Sequence, residues 1–143
     1  MAITQGMATS FKVQLLNGEQ NFSADTFKIA LYTSSATLGE GTTAYTTSSE
    51  VASTGNYTAG GNVLSVTTLP TSSGNVAYLS FANTSWGNAT ITANGALIYN
   101  NSQANAAVAV LAFGGDKTST NGTFAINFPT ADSTNAIIRL TAS

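Results

Sequence analysis

With 143 residues, no Cys, no His and a net charge of -2, the chain is sized for one domain around one continuous core, and it does not need disulfides or metals to reach stability. Charged residues make up 7% and apolar residues 43%, against about 25% charged in ordinary globular proteins; charge-driven disorder is excluded, and the longest mostly apolar run, Ala106 to Phe113, falls far short of the ~18 residues of a membrane span. Four scattered cations, Lys12, Lys28, Lys117 and Arg139, cannot supply the clustered positive charge that nucleic acid requires.

The first nine residues carry neither a positive leader region nor a continuous apolar stretch, so no signal peptide is expected and the site of synthesis reads as cytoplasmic. Residues 1–24 read as an N-terminal arm and a short helix. Thr9 or Ser10 is placed to cap that helix, Phe11, Leu15 and Val13 or Leu16 form its apolar side, and Asn17-Gly18 ends it. In the stretch Thr26 to Tyr32, Phe27, Ile29 and Leu31 alternate with Lys28 and Tyr32, which predicts a half-buried strand.

From Thr33 to Gly61 the chain runs through Ser, Thr, Gly, Ala and Glu with turns at Gly39, Gly41, Gly55 and Gly60-Gly61. Loops of that length in a compact domain are functional or pinned to a partner; Tyr45, Val51 and Tyr57 are the residues expected to anchor this one. Strands are then predicted over Val63 to Thr68, Val76 to Phe81, Ala89 to Ala93, Ala96 to Tyr99, Ala107 to Phe113, Thr123 to Phe128 and Ala136 to Thr141. Asn94-Gly95 is the sharpest hairpin signal, because both residues tolerate the positive φ of a type I′ turn, and Gly114-Gly115-Asp116-Lys117 reads as a second turn. The run Val108 to Phe113 is apolar on both faces and should be central or covered. About eight short strands at this spacing predict a single all-β domain over 1–143, an antiparallel, jelly-roll-like sandwich with a short N-terminal helix.

Catalysis finds little to work with. Without His or Cys there is no Ser-His-Asp or Cys-His arrangement, no imidazole acid or base, and no zinc site of the usual ligands. Glu40, Glu50, Asp116 and Asp132 are the carboxylates a two-carboxylate glycosidase would need, yet all four sit among Gly, Ser and Thr, where solvated or turn-capping roles are the norm. No calcium loop or phosphate-binding glycine motif occurs. No enzyme, cofactor or metal is expected. Six N-x-[ST] triplets, beginning at Asn21, Asn56, Asn83, Asn88, Asn100 and Asn121, read as a by-product of an Asn/Ser/Thr-rich composition. Trp86, in Thr84-Ser85-Trp86-Gly87-Asn88, is either a plug for the core or an interface, or a stacking platform for sugars; the former is preferred. Trp86, Tyr45 and Tyr57 are the candidate interface or aromatic-contact residues.

Two blocks carry a likeness to known proteins. Asp25-Thr26-Phe27-Lys28-Ile29-Ala30-Leu31-Tyr32-Thr33-Ser34, with Thr43-Ala44-Tyr45 and Tyr57-Thr58-Ala59-Gly60-Gly61, forms one; Trp86 through Ala89 to Asn100 and on to Phe113-Gly114-Gly115-Asp116, continued by Gly122-Thr123-Phe124 to Phe128-Pro129, forms the other. In these the sequence resembles a family of small proteins of tailed bacteriophages. The resemblance implies a virion protein that decorates or cements the outer surface of the head, with the major capsid protein as partner, a homodimeric or homotrimeric state, and no catalytic residues. A tail, baseplate or fibre component with receptor or glycan contacts is the alternative, and a free carbohydrate-binding module stands behind it. Extended segments that add to a neighbour's sheet suit cementing, and the arm Met1 to Gly6 and the 33–61 excursion are the segments expected to do so.

Overall fold

The computed structural model describes residues 2–141; Met1, within the expected arm, lies outside them. Among the described residues, eight strands and one helix follow one another: β1 Gly6–Met7, α1 Thr9–Leu16, β2 Phe27–Tyr32, β3 Asn62–Leu64, β4 Val66–Ser73, β5 Val76–Phe81, β6 Thr84–Asn100, β7 Ala106–Ile126 and β8 Ile138–Leu140. They form two antiparallel sheets, one in the order β1-β7-β6-β2-β3 and one in the order β4-β5-β8. The fold is an all-β sandwich with a short N-terminal helix. Phe27 of β2 and Phe81 of β5 meet across the layers with ring centroids 6.1 Å apart, and Phe22 stacks on Phe27 at 4.4 Å. The burial that drives folding sits between these faces.

The helix starts without the expected Thr9 or Ser10 cap. Ala8 holds the N-cap position with no side-chain hydrogen bond, because the chain enters the helix directly from β1 and tertiary carbonyls take the early amides: Ala8 N–H donates to Val108 O at 2.9 Å and Thr9 N–H to Glu40 O at 2.8 Å. Phe11 is buried, but Val13 and Leu16 are 52% and 89% exposed, so the inward side is narrower than the sequence suggests. Gly18, with φ +72, ends the helix as expected.

β2 is buried on both faces rather than one: Ala30 and Tyr32 are as inaccessible as Ile29 and Leu31, because the 33–61 loop folds back over the second face. The single strand expected over Val63 to Thr68 divides at Ser65 into β3, which joins the first sheet, and β4, which joins the second. β4 and β5 are closed by Gly74 and Asn75; Gly74, with φ +60, begins that two-residue turn.

The largest departure concerns four expected strands that prove to be two long ones. Asn94-Gly95 makes no hairpin: neither residue has positive φ, and β6 runs through them. Gly95 is needed for close approach, since a Cβ there would lie 2.6 Å from Leu111 O and 2.8 Å from Ile3 Cγ2. Opposite it, Gly114-Gly115 is not a turn but part of a bulge. Ala112 pairs with Gly95 and Lys117 with Ala93, so 113–116 oppose Asn94 alone, with Gly114 at φ +77 and Asn94 Nδ2 donating to Asp116 Oδ1 at 3.0 Å. The ribbon folds over across this bulge and the further register shifts between Ser119 and Phe124, where Asn121 has φ +48. Phe113 and Phe124 lie eleven residues apart on β7, about 36 Å if extended, yet their rings are 6.3 Å apart. Bulges are how strands turn the corner between layers.

Candidate functional site: a tyrosine-ringed carboxylate and an open strand edge

The 33–61 loop carries one carboxylate inward. Glu50 forms an antiparallel bridge with Tyr32, which aims its side chain at the ring of tyrosines the sheet presents. Glu50 Oε1 accepts from Tyr45 OH at 2.6 Å; Oε2 accepts from Tyr57 OH at 2.6 Å and from Gly60 N–H at 2.7 Å. Tyr57 OH in turn accepts Leu31 N–H at 2.9 Å, tying loop to β2. Tyr99 OH donates to Gly60 O at 2.7 Å, Tyr32 OH donates to Thr46 O at 2.6 Å, and Tyr45 stacks on Tyr99 at 4.7 Å. Gly61 is held at φ +76, where a Cβ would overlap Ile29 O; only glycine passes so close to β2.

The electrostatics follow from burial. Desolvation, followed by the hydrogen bonds to the Glu50 carboxylate, pushes the Tyr45 and Tyr57 hydroxyls far above the ordinary phenol range. Burial does the same to Tyr32, and burial with the nearby Glu50 charge raises Tyr99 to about 12. These phenols are donors locked in the protonated state. The cluster is a clasp: three charge-assisted donors converge on one carboxylate and hold the long loop against the sheet. A second buried polar knot does the same for the segment after α1, where the fully buried Asn100 donates from Nδ2 to Gln20 Oε1 at 2.7 Å and Asp25 Oδ2 at 2.8 Å.

The other carboxylates are engaged separately. Glu40 lies 3.9 Å from Lys12 Nζ, Asp116 accepts from Asn94, and Asp132 accepts Thr134 N–H at 2.9 Å and Asn135 N–H at 2.6 Å. The Asn135 side chain first, then these amides, lowers the Asp132 carboxyl below its ordinary value. Among the described residues no three acidic side chains come together.

The three residues singled out from sequence lie inside or against the fold. Trp86 is 5% exposed, packed against Tyr57 at 5.8 Å and edge-on to Phe124 at 6.1 Å; no ring face is left for a sugar. Tyr57 is 2% exposed, and Tyr45 is half-buried in the clasp. The two segments expected to reach a neighbour also pair within the chain. Thr4 N–H donates to Leu38 O and Leu38 N–H to Ala2 O, so the arm lies along the loop, and the loop lies along β2 through Val51 N–H to Leu31 O at 2.9 Å.

What reaches outward is a feature the sequence did not signal, the distal half of β7. β1 pairs only with Ala109 and Val110, and beyond Ala112 no backbone group among the described residues pairs with the outer edge of β7. The matching half of β6 is covered by the chain itself: Thr90 N–H donates to Gly55 O at 2.9 Å, and Asn56 Nδ2 to Asn88 O at 2.9 Å. Beside the open edge lies a groove of about 430 Å³ lined by Phe113, Lys117, Thr118, Phe124 and Ile126. No protein-family model matches the chain, and no curated protein or solved structure matches it.

Proposed function

We propose that the chain is a structural protein of a bacteriophage virion, a decoration or cement protein that binds the outer surface of the head and stabilises it through contacts with the major capsid protein and with its own copies. The observation that supports this reading best is the use made of the polar groups. The half-buried acid Glu50 and the fully buried Asn100 serve to fasten loops to the sandwich, and the surface is rich in Thr, Ser, Asn and Gly, with 7% charge in the whole sequence. A rigid body with little charge to desolvate suits burial in an assembly. Of the contacts offered for the glycan or receptor alternative, Trp86 is enclosed, which leaves the Thr/Asn-rich loops to carry it.

Cryo-electron microscopy of the particles encoded with this chain tests the reading. Regular density on the head, and loss of resistance to heat or low salt when heads are stripped of the protein, are the expected results. Density confined to the tail overturns the cement role, and absence from purified particles overturns the virion role altogether.

A further inference from the structure

The sequence holds three Asn-Gly pairs, Asn17-Gly18, Asn94-Gly95 and Asn121-Gly122. Asn is a thermally labile residue, and a following glycine exposes it most: with no Cβ in the way, the glycine nitrogen can swing onto Cγ, the side-chain carbonyl carbon of the Asn before it. In an unfolded chain the three pairs are chemically alike; the fold makes them different. Asn94-Gly95 runs inside β6. Gly95 is buried and pairs with Ala112, a Cβ on it would lie 2.6 Å from Leu111 O, and Asn94 Nδ2 donates to Asp116 Oδ1 at 3.0 Å. Asn121-Gly122 lies toward the end of β7, where Gly122 pairs with the fully buried Ala89 and Asn121 N–H donates to Thr90 Oγ1 at 3.1 Å. Neither glycine nitrogen reaches Cγ without opening the β6–β7 ladder. Asn17-Gly18 has no such lock. It follows α1, and residues 16–19 are all exposed. Two backbone bonds close the turn, Gly18 N–H to Leu15 O at 3.2 Å and Glu19 N–H to Gln14 O at 2.8 Å. This is a glycine-capped helix end, but its usual apolar contact is missing, because the positions that would make it are Glu19 and Gln14. A Cβ on Gly18 would meet nothing within 4 Å. Exposed helix ends of this kind open at little cost.

We propose that Asn17 is a site of spontaneous deamidation, and that in the folded protein it reacts before Asn94 and Asn121. The co-reactant is water. The Gly18 nitrogen leaves Leu15 O as the Asn17 ψ turns away from its present -3, gives up its proton to solvent and attacks Asn17 Cγ. A bond forms between that nitrogen and Cγ, the Cγ–Nδ2 bond breaks, and Nδ2 takes up a proton and departs as ammonia, leaving a cyclic imide. Water then opens the ring. Attack at Cγ gives aspartate at position 17; attack at the main-chain carbonyl carbon gives isoaspartate, with the backbone routed through Cγ. No electrons change hands, so neither oxidant nor reductant is needed. Either product puts a carboxylate where an uncharged amide stood, and that one added negative charge takes the net charge from -2 to -3. The new charge is badly placed. Asn17 Nδ2 donates to Glu19 Oε2 at 3.4 Å, and after the reaction two carboxylates face one another at the negative end of the α1 dipole. The last turn of α1 therefore loosens as the protein ages.

The experiment follows the purified chain in mildly alkaline buffer, folded and in urea, by digestion and mass spectrometry at each Asn-Gly pair, with isoaspartyl methyltransferase labelling to detect the rearranged product. In urea the three sites are expected to convert at similar rates, each gaining one mass unit. In the folded protein Asn94 and Asn121 should be slowed, relative to urea, at least about tenfold more than Asn17, since each must first open the ladder. A more acidic species should accumulate on ion exchange in step with conversion at Asn17. It should not form early in Asn17→Ser, whose substituted side chain is exposed, so that the variant is expected to fold. Asn17→Asp installs the charge at once, and its Gly18 and Glu19 amides should exchange with solvent faster than in wild type; unchanged exchange there overturns the loosening of α1. Protection of Asn17 equal to that of the other two, Asn94 or Asn121 converting first in the folded protein, or an early acidic species in Asn17→Ser each overturns the assignment of the site. None of these outcomes bears on the virion role, which the particle experiments decide separately.

Discussion

Replacing Glu50 by Ala removes the acceptor for Tyr45 OH, Tyr57 OH and Gly60 N–H, at 2.6, 2.6 and 2.7 Å. Hydrogen bonds to a charged group contribute about 1.5–3 kcal/mol each when one partner is lost. The sum overstates the cost, because Tyr45 and Glu50 are half-exposed and water reaches part of the cluster, whereas Tyr57, 2% exposed, keeps only its contact with Leu31 N–H. A net loss of about 3 kcal/mol follows, a large share of the ~5–15 kcal/mol of a typical domain. At about 2.1 cal/mol/K per residue of unfolding entropy, that lowers Tm by about 10 °C. Glu50→Gln should cost about 1–2 kcal/mol, since its amide can accept for one phenol but presents a donor to the groups that Oε2 served. Chemical denaturation gives the magnitudes, and amide hydrogen exchange gives the location: the loop amides Val51, Gly60 and Gly61 should lose protection before the β6–β7 ladder does. If Glu50→Ala lies within about 1 kcal/mol of wild type with loop exchange unchanged, the clasp does not hold the loop and the reasoning fails.

The same cluster predicts the alkaline response. Tyr32, Tyr45, Tyr57 and Tyr99 are raised from the ordinary 10.0, Tyr99 to about 12; the folded state holds these protons more tightly, so their contribution is complete below pH 10.0 and is lost as pH rises toward and past 12. Phenolate absorbance should therefore rise together with loss of the circular dichroism signal, and free titration of these four near pH 10.0 in a folded protein would contradict their burial. Trp86→Ala, opening a cavity against Tyr57 and Phe124, should cost about 3–5 kcal/mol, seen as a lower denaturation midpoint; a fully stable variant would place the indole outside the core. Gly95→Ala should destabilise by more than Gly87→Ala, where a Cβ meets nothing within 4 Å, and equal midpoints for the two would argue against the close approach at the ribbon corner.

Local patterns were legible where the physics is local. Alternation placed the strand over Val76 to Phe81 and the core set Leu79 and Phe81, because side-chain direction alternates wherever backbone is extended. The length and anchors of the 33–61 loop were readable for a similar reason: turn residues and three isolated large side chains, Tyr45, Val51 and Tyr57, mark a segment that leaves the sheet and returns. Asn94-Gly95 misled because glycine has two uses. A positive φ and a place with no room for a Cβ look identical in sequence, and only Leu111 O and Ile3, 16 and 92 residues away, decide between them.

Composition and periodicity by themselves determined an all-β sandwich without His or Cys chemistry, since both follow from residue types and their spacing. Tertiary structure alone decided the rest. Glu50 sits in a run of Thr, Ser and Gly that describes a solvated carboxylate, and it becomes a half-buried acceptor because Tyr57 and Gly60 return to it from the end of the loop, while Tyr99, from another strand, stacks on Tyr45 and holds Gly60. The open edge of β7 has no sequence signature either: an edge is defined by the strand that is missing beside it, and which strands lie beside which is settled by the packing of the whole chain.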